Sequence, residues 1–226
     1  SLELFEDISV EDNIRVGAAK QISAAADIEL IDLDAVRAEI RRAGHSLVGL
    51  LRVFQSGCEG ESGQYIHHGA TTQDIQDTGQ SLEMRDVLDE LDTLLRSILA
   101  RLADLAEAHE GTIALGRTHA QPALPMGFGV KVASWIDEVL RHAERIGQMR
   151  PRVQAAQLFG GVGTMAGFGA QAPAVLSGFA ARLDLSAPPL GWHVARDRVA
   201  EYVGTLAMIA ASMGRVADEV RILSRP

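Results

Sequence analysis

Cysteine is almost missing from this chain: Cys58 is the only one in 226 residues. That excludes a disulfide framework within the chain and a zinc site built from several thiolates, and it fits a reducing, cytoplasmic compartment. Aromatic residues are scarce too, at 4%, although hydrophobic residues reach 47%. So large an apolar fraction with so few rings, rich in Ala and Leu, suits closely packed helices and argues against a β-sandwich. Basic residues are in deficit, 21 against 30 acidic ones, for a net charge of −9. Nucleic acid is therefore not an expected partner, since phosphate contacts need a basic surface; a local basic pocket for a small anion remains compatible with the acidic average. No apolar run reaches the roughly 18–20 residues of a membrane span, so no membrane partner is expected. No basic segment followed by an apolar stretch opens the sequence as a secretory leader would. Metal-ligand spacing is also absent: adjacent His67 and His68 cannot face one side of a helix or strand.

What the chain does have is apolar residues repeating every three or four positions over three long stretches. The first runs from Gly79 to about Glu110, through Met84, Val87, Leu91, Leu94, Ile98, Leu102 and Leu105. Such a helix would be about 45 Å long. The second is expected from about Pro125 to Met149, with Val132, Trp135, Val139 and Ile146 inward and Pro151 interrupting. The third runs from about Ala195 to Leu223, through Val199, Tyr202, Leu206, Ile209, Met213, Val216 and Val220.

Residues 1–60 read as an N-terminal subdomain of short helices, with Leu30, Leu33, Val36 and Ile40 forming a stripe around Asp32. A Gly/Ser/Glu linker from Gly57 to Gly63 separates it from a central long-helix domain over 61–226. The fold class is therefore all-α. Three long stripes are not readily covered by three helices of one chain, so a bundle completed by oligomerisation is expected. Residues 155–170 are dense in Gly and Ala. They match no phosphate fingerprint, and the better reading is close backbone approach or a bend.

Two stretches carry chemistry. In Gly116–Pro125, Thr118, His119 and Gln121 gather a proton-transfer group and two hydrogen-bonding groups in a Gly/Pro-bounded turn. A plain helix start with a capping Thr would look similar. In Tyr65–Thr78, His67, His68, Gly69, Thr71, Thr72, Asp74 and Asp77 crowd into fourteen residues. Hydroxyls and N–H groups opening a helix make a cradle for carboxylate or phosphate. A capping Thr with Asp74 in the first turn explains part of the pattern, but neither the His pair nor the glycine.

These stretches resemble two signature regions of the fumarase/aspartase superfamily, in the subgroup of adenylosuccinate lyase and 3-carboxy-cis,cis-muconate cycloisomerase. The likeness extends through Arg42–Val48 and Gly191–Arg198 and runs from about Ile28 onward. It implies a lyase that expels a group β to a carboxylate, releasing fumarate, with no metal or organic cofactor. The implied partners are a small dicarboxylate-type substrate and three further copies of the chain, in a homotetramer with shared active sites. His119 matches the histidine that serves the leaving group, and His45 a second active-site histidine, although Ser46 stands where the family has Asp. Thr118 and Gln121 match substrate contacts beside His119, while His67, Thr71 and Thr72 match carboxylate or phosphate contacts. Arg196 is a candidate for binding a carboxylate, and His68 for supporting the residues that do. His109 and His142 match no motif and read as structural or solvated.

The family's third signature, a Gly-Ser-Ser-x-Met-Pro-x-Lys-x-Asn loop whose serine is the general base, does not occur here. The sequence corresponds to about half a family member, with the N-terminal subdomain shortened and the C-terminal part of the fold absent. Trp192-His193 followed by Arg196-Asp197-Arg198 leans towards the cycloisomerases, and Thr118-His119 towards the lyases. Three readings stay open: a fumarate-releasing lyase acting on adenylosuccinate, nitrosuccinate or another succinyl adduct, a lactonising cycloisomerase, and a non-catalytic helical scaffold.

Overall fold

The computed structural model describes residues 32–56 and 66–224. The expected Gly57–Gly63 linker, and with it the boundary near residue 60, lies outside the described residues, as do Leu30 and Tyr65. The chain is mostly helical: α1 Leu33–Ala43, α2 Ser46–Ser56, α3 Thr72–Ala108, β1 Ile113–Thr118, β2 Gln121–Gly127, α4 Phe128–Val153, α5 Ala172–Arg182 and α6 Asp197–Leu223. It divides into two compact units. One takes the described residues up to Leu82 together with Ala155–Ala195; the other takes Glu83–Gln154 and the residues from Arg196 on.

In the first unit, Asp32 caps α1 by accepting the N–H groups of Asp34 and Ala35, both at 3.0 Å. Gly44 closes the helix at φ 66, with its N–H on the Ile40 carbonyl. The helix α2 then packs at backbone contact, because a Cβ on Gly49 would lie 2.7 Å from Ile40 N. Leu158, Phe159, Met165 and Leu176 form one apolar cluster, and Ala156, Ala180 and Leu185 a second.

The start of α3 departs from the apolar pattern. Periodicity places it near Gly79, but the helix begins at Thr72. Its opening turns bury a polar stripe instead: Asp74, Asp77, Thr78 and Ser81 are all buried. Their spacing is helical, but a search for apolar repeats passes over it.

In the second unit, Leu88, Leu95, Val139, Ile146, Met149, Val153 and Ile209 make the core. All four residues expected inward on α4 are buried. The heptad seam read along α3 is shifted, since Leu88 and Leu95 are buried whereas Val87 and Leu94 are about half exposed. Pro151 does not interrupt α4, which continues to Val153. So close to the C-terminus, the missing N–H costs a single helical bond.

Between α3 and α4 the chain forms an antiparallel hairpin rather than a simple break. Thr118 pairs with Gln121, leaving His119 and Ala120 as a two-residue turn with φ 50 and 59. Positive φ at both positions defines the turn type that matches strand twist. The register shifts at Gly116, and the irregularity needs a glycine there, because a Cβ would lie 2.7 Å from the Leu124 carbonyl. Among the described residues, no helix is long and apolar enough to cross a membrane.

Candidate active site

The residues singled out in the sequence fall in two groups, one per unit. In the first unit, residues 66–69 form a tight turn with His67 at φ 67 and Gly69 at φ 69. Three glycines press together here. A Cβ on Gly160 would lie 2.9 Å from the Gly69 carbonyl, and one on Gly167 would lie 2.9 Å from Gly69 Cα. The small-residue stretch is thus the close backbone approach expected from its composition. The ring of Phe168 covers Gly69 and meets His68 edge-on, with centroids 6.5 Å apart. Nε2 of His67 is buried and has no hydrogen-bond partner among the described residues. A buried imidazole nitrogen in that state is a ready contact for a ligand's polar atom.

Thr71 and Thr72, both partly buried, open α3 beside this turn. The Thr71 N–H donates to Asp74 Oδ2 at 2.9 Å, the reciprocal half of a capping box. Asp74 does more than cap. It also accepts the N–H groups of Phe159 (3.1 Å) and Gly160 (2.8 Å), and its Oδ1 lies 2.8 Å from Nε2 of His193. One turn later, Asp77 accepts from the amides of Gln73 and Gln157, each at 2.7 Å. Gln157 in turn accepts the Trp192 N–H at 2.7 Å, while Thr78 bonds both the N–H and the carbonyl of Gln157. The indole N–H of Trp192 ends on the Ala156 carbonyl.

Two segments far apart in sequence, 156–160 and 192–193, are thereby locked to the first two turns of α3. Sequence reasoning passed over Asp74, Asp77, Thr78 and Gln157 as working residues. The signal was present: two carboxylates three residues apart in a helix that also carries Thr78 and Ser81 at helical spacing. His193 was noticed only as part of a motif.

In the second unit, His119 sits at the exposed tip of the hairpin, flanked by exposed Thr118 and Gln121. His is among the residues that tolerate positive φ, whereas Ala120 is not. Below the tip, a groove of about 610 Å³ is lined by Arg117, Thr118, Leu124, Lys131, Trp135 and Arg215 among others. Two of its cations are already paired, Lys131 with Glu219 and Arg215 with Glu138. Arg196 immediately precedes α6 and is exposed.

His45, in the first unit, is exposed and caps α2, with Nδ1 accepting the Val48 N–H at 3.4 Å. His109 bonds Thr112 and meets the ring of Phe128 edge-on. His142 is buried on Ser212. Among the described residues, no cluster of three or more His, Cys, Asp or Glu side chains gathers as metal ligands would.

A helical chain with these motif positions at the head of one long helix and on the hairpin after it corresponds to a known lyase architecture. The family model described as "Lyase" matches residues 10–226, and the chain belongs to that family, within the fumarase/aspartase superfamily. It is similar to N-acetyl-S-(2-succino)cysteine lyase of Dickeya dadantii, 36% identical over 208 residues that make up 92% of this chain and 46% of that protein. It is also similar to adenylosuccinate lyase of Methanocaldococcus jannaschii, 35% identical over 209 residues, 92% of this chain and 45% of that protein. The crystal structure of 3-carboxy-cis,cis-muconate lactonizing enzyme from Pseudomonas putida superposes with a TM-score of 0.80 at 33% identity, covering 92% of this chain and 47% of that one. The chain therefore spans just under half the length of the curated relatives it matches.

Proposed function

We propose that the protein acts as a lyase that cleaves a C–N or other C–heteroatom bond in a succinyl adduct and releases fumarate. In this reaction a base takes the proton from the carbon β to the leaving group's neighbouring carboxylate. The C–H electrons form the new double bond, and the C–X electrons leave with the heteroatom, which an acid protonates. His119 fills the last role, with Thr118 and Gln121 orienting the leaving group. Thr71, Thr72 and His67 hold a carboxylate as charge builds on it, and Arg196 and His45 are further contacts. The base is not assigned to any residue of this sequence.

The observation that carries this reading is the preformed start of α3. Asp74 and Gln157 hold its turns rigidly, beside a buried His67 nitrogen left unpartnered among the described residues. Relatives that act on succinyl adducts, one bearing sulfur, favour a substrate of that class. A cytoplasmic homotetramer is part of the proposal. The helix α3, with 37 residues, is about 55 Å long. Thr72 opens it and His119 follows it in the sequence, in the other unit, and we infer that a pocket using both draws on different subunits. Exposed Val87, Leu94, Leu140, Val203 and Met208 on the long helices give those subunits an apolar surface to cover.

Lactonisation of 3-carboxymuconate is the second reading, favoured by the Trp192-His193 pair and the lactonizing-enzyme likeness. The test is turnover of N-acetyl-S-(2-succino)cysteine, adenylosuccinate and 3-carboxymuconate, followed by ultraviolet absorbance. Fumarate from either adduct supports the lyase. Consumption of the muconate alone replaces it with the cycloisomerase, and inertness towards all three leaves the scaffold reading.

A further inference from the structure

Gln157 is fully buried, although it is polar. An apolar side chain of that size costs less to bury, so a glutamine there needs partners for its amide. The backbone N–H of Trp192, which can only donate, faces Oε1 at 2.7 Å. That contact fixes the orientation of the amide and turns Nε2 to Oδ2 of Asp77, also at 2.7 Å. Oδ1 of Asp77 takes the amide of Gln73. The main chain of Gln157 is held as well. Its N–H donates to Thr78 Oγ1 at 3.0 Å, and its carbonyl accepts the Thr78 hydroxyl at 2.9 Å. One residue thus ties both segment 156–160 and segment 192–193 to the second turn of α3.

The same two segments supply most of what faces Asp74. Phe159 and Gly160, just after Gln157, donate their N–H groups to it, and His193, next to Trp192, lies against Oδ1. The remaining contact, the Thr71 N–H, comes from the start of α3 itself. The carboxylate that caps the helix is therefore aimed by segments whose own seat on α3 runs through Gln157. Without the Gln157 amide, Asp77 and the Trp192 N–H each lose a partner at a buried place, and a lost partner there is costly. Water can replace it only where 192–193 draws back from the helix.

We propose that Gln157, acting through Asp77 and Trp192, is a positioning residue for the carboxylate cradle: it holds segments 156–160 and 192–193 in the arrangement that aims Asp74 at Thr71, and so sets Thr71 and Thr72 for binding. This rests on the reading of Thr71, Thr72 and His67 as that cradle. Gln157 itself touches no substrate. Its loss lowers the fraction of folded molecules whose cradle is formed, and apparent affinity falls by that fraction.

Fumarate is the probe, and calorimetry of its binding to the folded protein, well below the unfolding temperature, is the test. Gln157→Met keeps the length of the side chain and removes both amide contacts. It should weaken fumarate binding by at least about tenfold while its circular dichroism stays that of the wild type. The pair Gln157→Glu with Asp77→Asn reverses the polarity of the link. The new carboxylate accepts from Trp192 and from the new amide, whose oxygen accepts from Gln73. This pair should bind fumarate within about threefold of the wild type. A glutamine that only stabilises the core would lower the thermal midpoint of Gln157→Met and leave its fumarate affinity unchanged, and that result overturns the proposal. So does a pair that fails to fold or binds no better than Gln157→Met. A wild type that does not bind fumarate overturns the cradle reading and this proposal with it, whereas binding that every variant keeps overturns the proposal alone. If Gln157→Met does not fold, Gln157→Asn, too short to reach both partners, replaces it, and the pair is compared with the wild type in either case.

Discussion

Nε2 of His142 lies 2.8 Å from Ser212 Oγ, and that hydroxyl donates in turn to Glu138 Oε1 at 2.6 Å. The chain of bonds joins α4 to α6 and ends on the guanidinium of Arg215, which pairs with the other Glu138 oxygen. Because the serine proton is committed to Glu138, His142 must donate through Nε2, leaving Nδ1 as a lone pair towards Arg145 at 3.5 Å. A second proton would set an N–H cation against that guanidinium.

The first prediction is acid sensitivity of the second unit. Burial first, and then the charge of Arg145, holds His142 below the ordinary imidazole range against a smaller opposing pull from Glu138, with Arg141 adding least. In the unfolded chain the ring binds a proton near pH 6.5, where the folded state still refuses it. Stability should therefore be full above about pH 6.5 and fall as the pH drops below it. Glu138 is held below the ordinary carboxylate range, by the Ser212 hydroxyl first and Arg215 next. Its contribution is present above about pH 4.5 and is lost as the pH falls through its lower folded value. Thermal unfolding of wild type and His142→Asn across this range checks it: the variant should be less stable at neutral pH but lose less between about pH 7 and pH 5.5. Equal losses would rule out His142 as the sensor.

The second prediction separates two glycines. A Cβ on Gly69 would lie 2.8 Å from Cζ of Phe168 at a φ of +69, whereas one on Gly79 meets nothing within 4 Å. Gly69→Ala should cost more than about 2 kcal/mol. Gly79→Ala, inside α3, should gain up to about 1 kcal/mol. Denaturant unfolding of the two variants should move in opposite directions.

The third concerns the hairpin tip. If His119 serves the leaving group, His119→Ala should lower kcat by about 10²–10⁴-fold with a much smaller change in KM. Steady-state kinetics on whichever adduct is turned over decides it, and near-normal kcat would remove His119 from the chemistry.

The fourth follows from the length of α3. Thr72→Ala and His119→Ala, each inactive alone, should recover part of the wild-type activity when refolded together, because mixed oligomers contain some pockets with neither defect. Recovery should vanish when subunits cannot exchange. No recovery in verified mixed oligomers would mean that each site draws both stretches from one chain, or that only one of them works.

The long helices were legible because burying one face of a helix imposes a repeat of three and four; the expected residues of α4 keep it, whereas on α6 only Ile209 of the expected stripe is buried, beside the polar Thr205 and Ser212, and Val220 is exposed. The caps at Asp32 and Gly44 are local too, since a side chain bonding an N–H two or three residues away needs no distant partner, although neither was singled out as a cap in the sequence. The motif stretches were visible as unusual clusters of His, Thr and Asp, and their order along the chain already marked the superfamily.

Other features depended on partners that sequence spacing does not reveal. The hairpin at Ile113–Gly127 is almost wholly exposed and carries Pro122 and Pro125, so it lacks the alternation of a half-buried strand. Its existence rests on two positive-φ residues, His119 and Ala120, which no local preference demanded. Which edge of the α3 stripe is buried was fixed by α4 and α6, whose side chains took Leu88 and Leu95 and left Val87 and Leu94 exposed. Asp74 read as a helix cap until folding brought His193, 119 residues away, within 2.8 Å of it. Sequence alone thus determined the long helices and the chemical inventory, because those rest on residue type and on interactions within a turn or two. Tertiary structure decided which polar groups share a charge, because a buried carboxylate takes its donors from whatever segments the packing of the core sets against it.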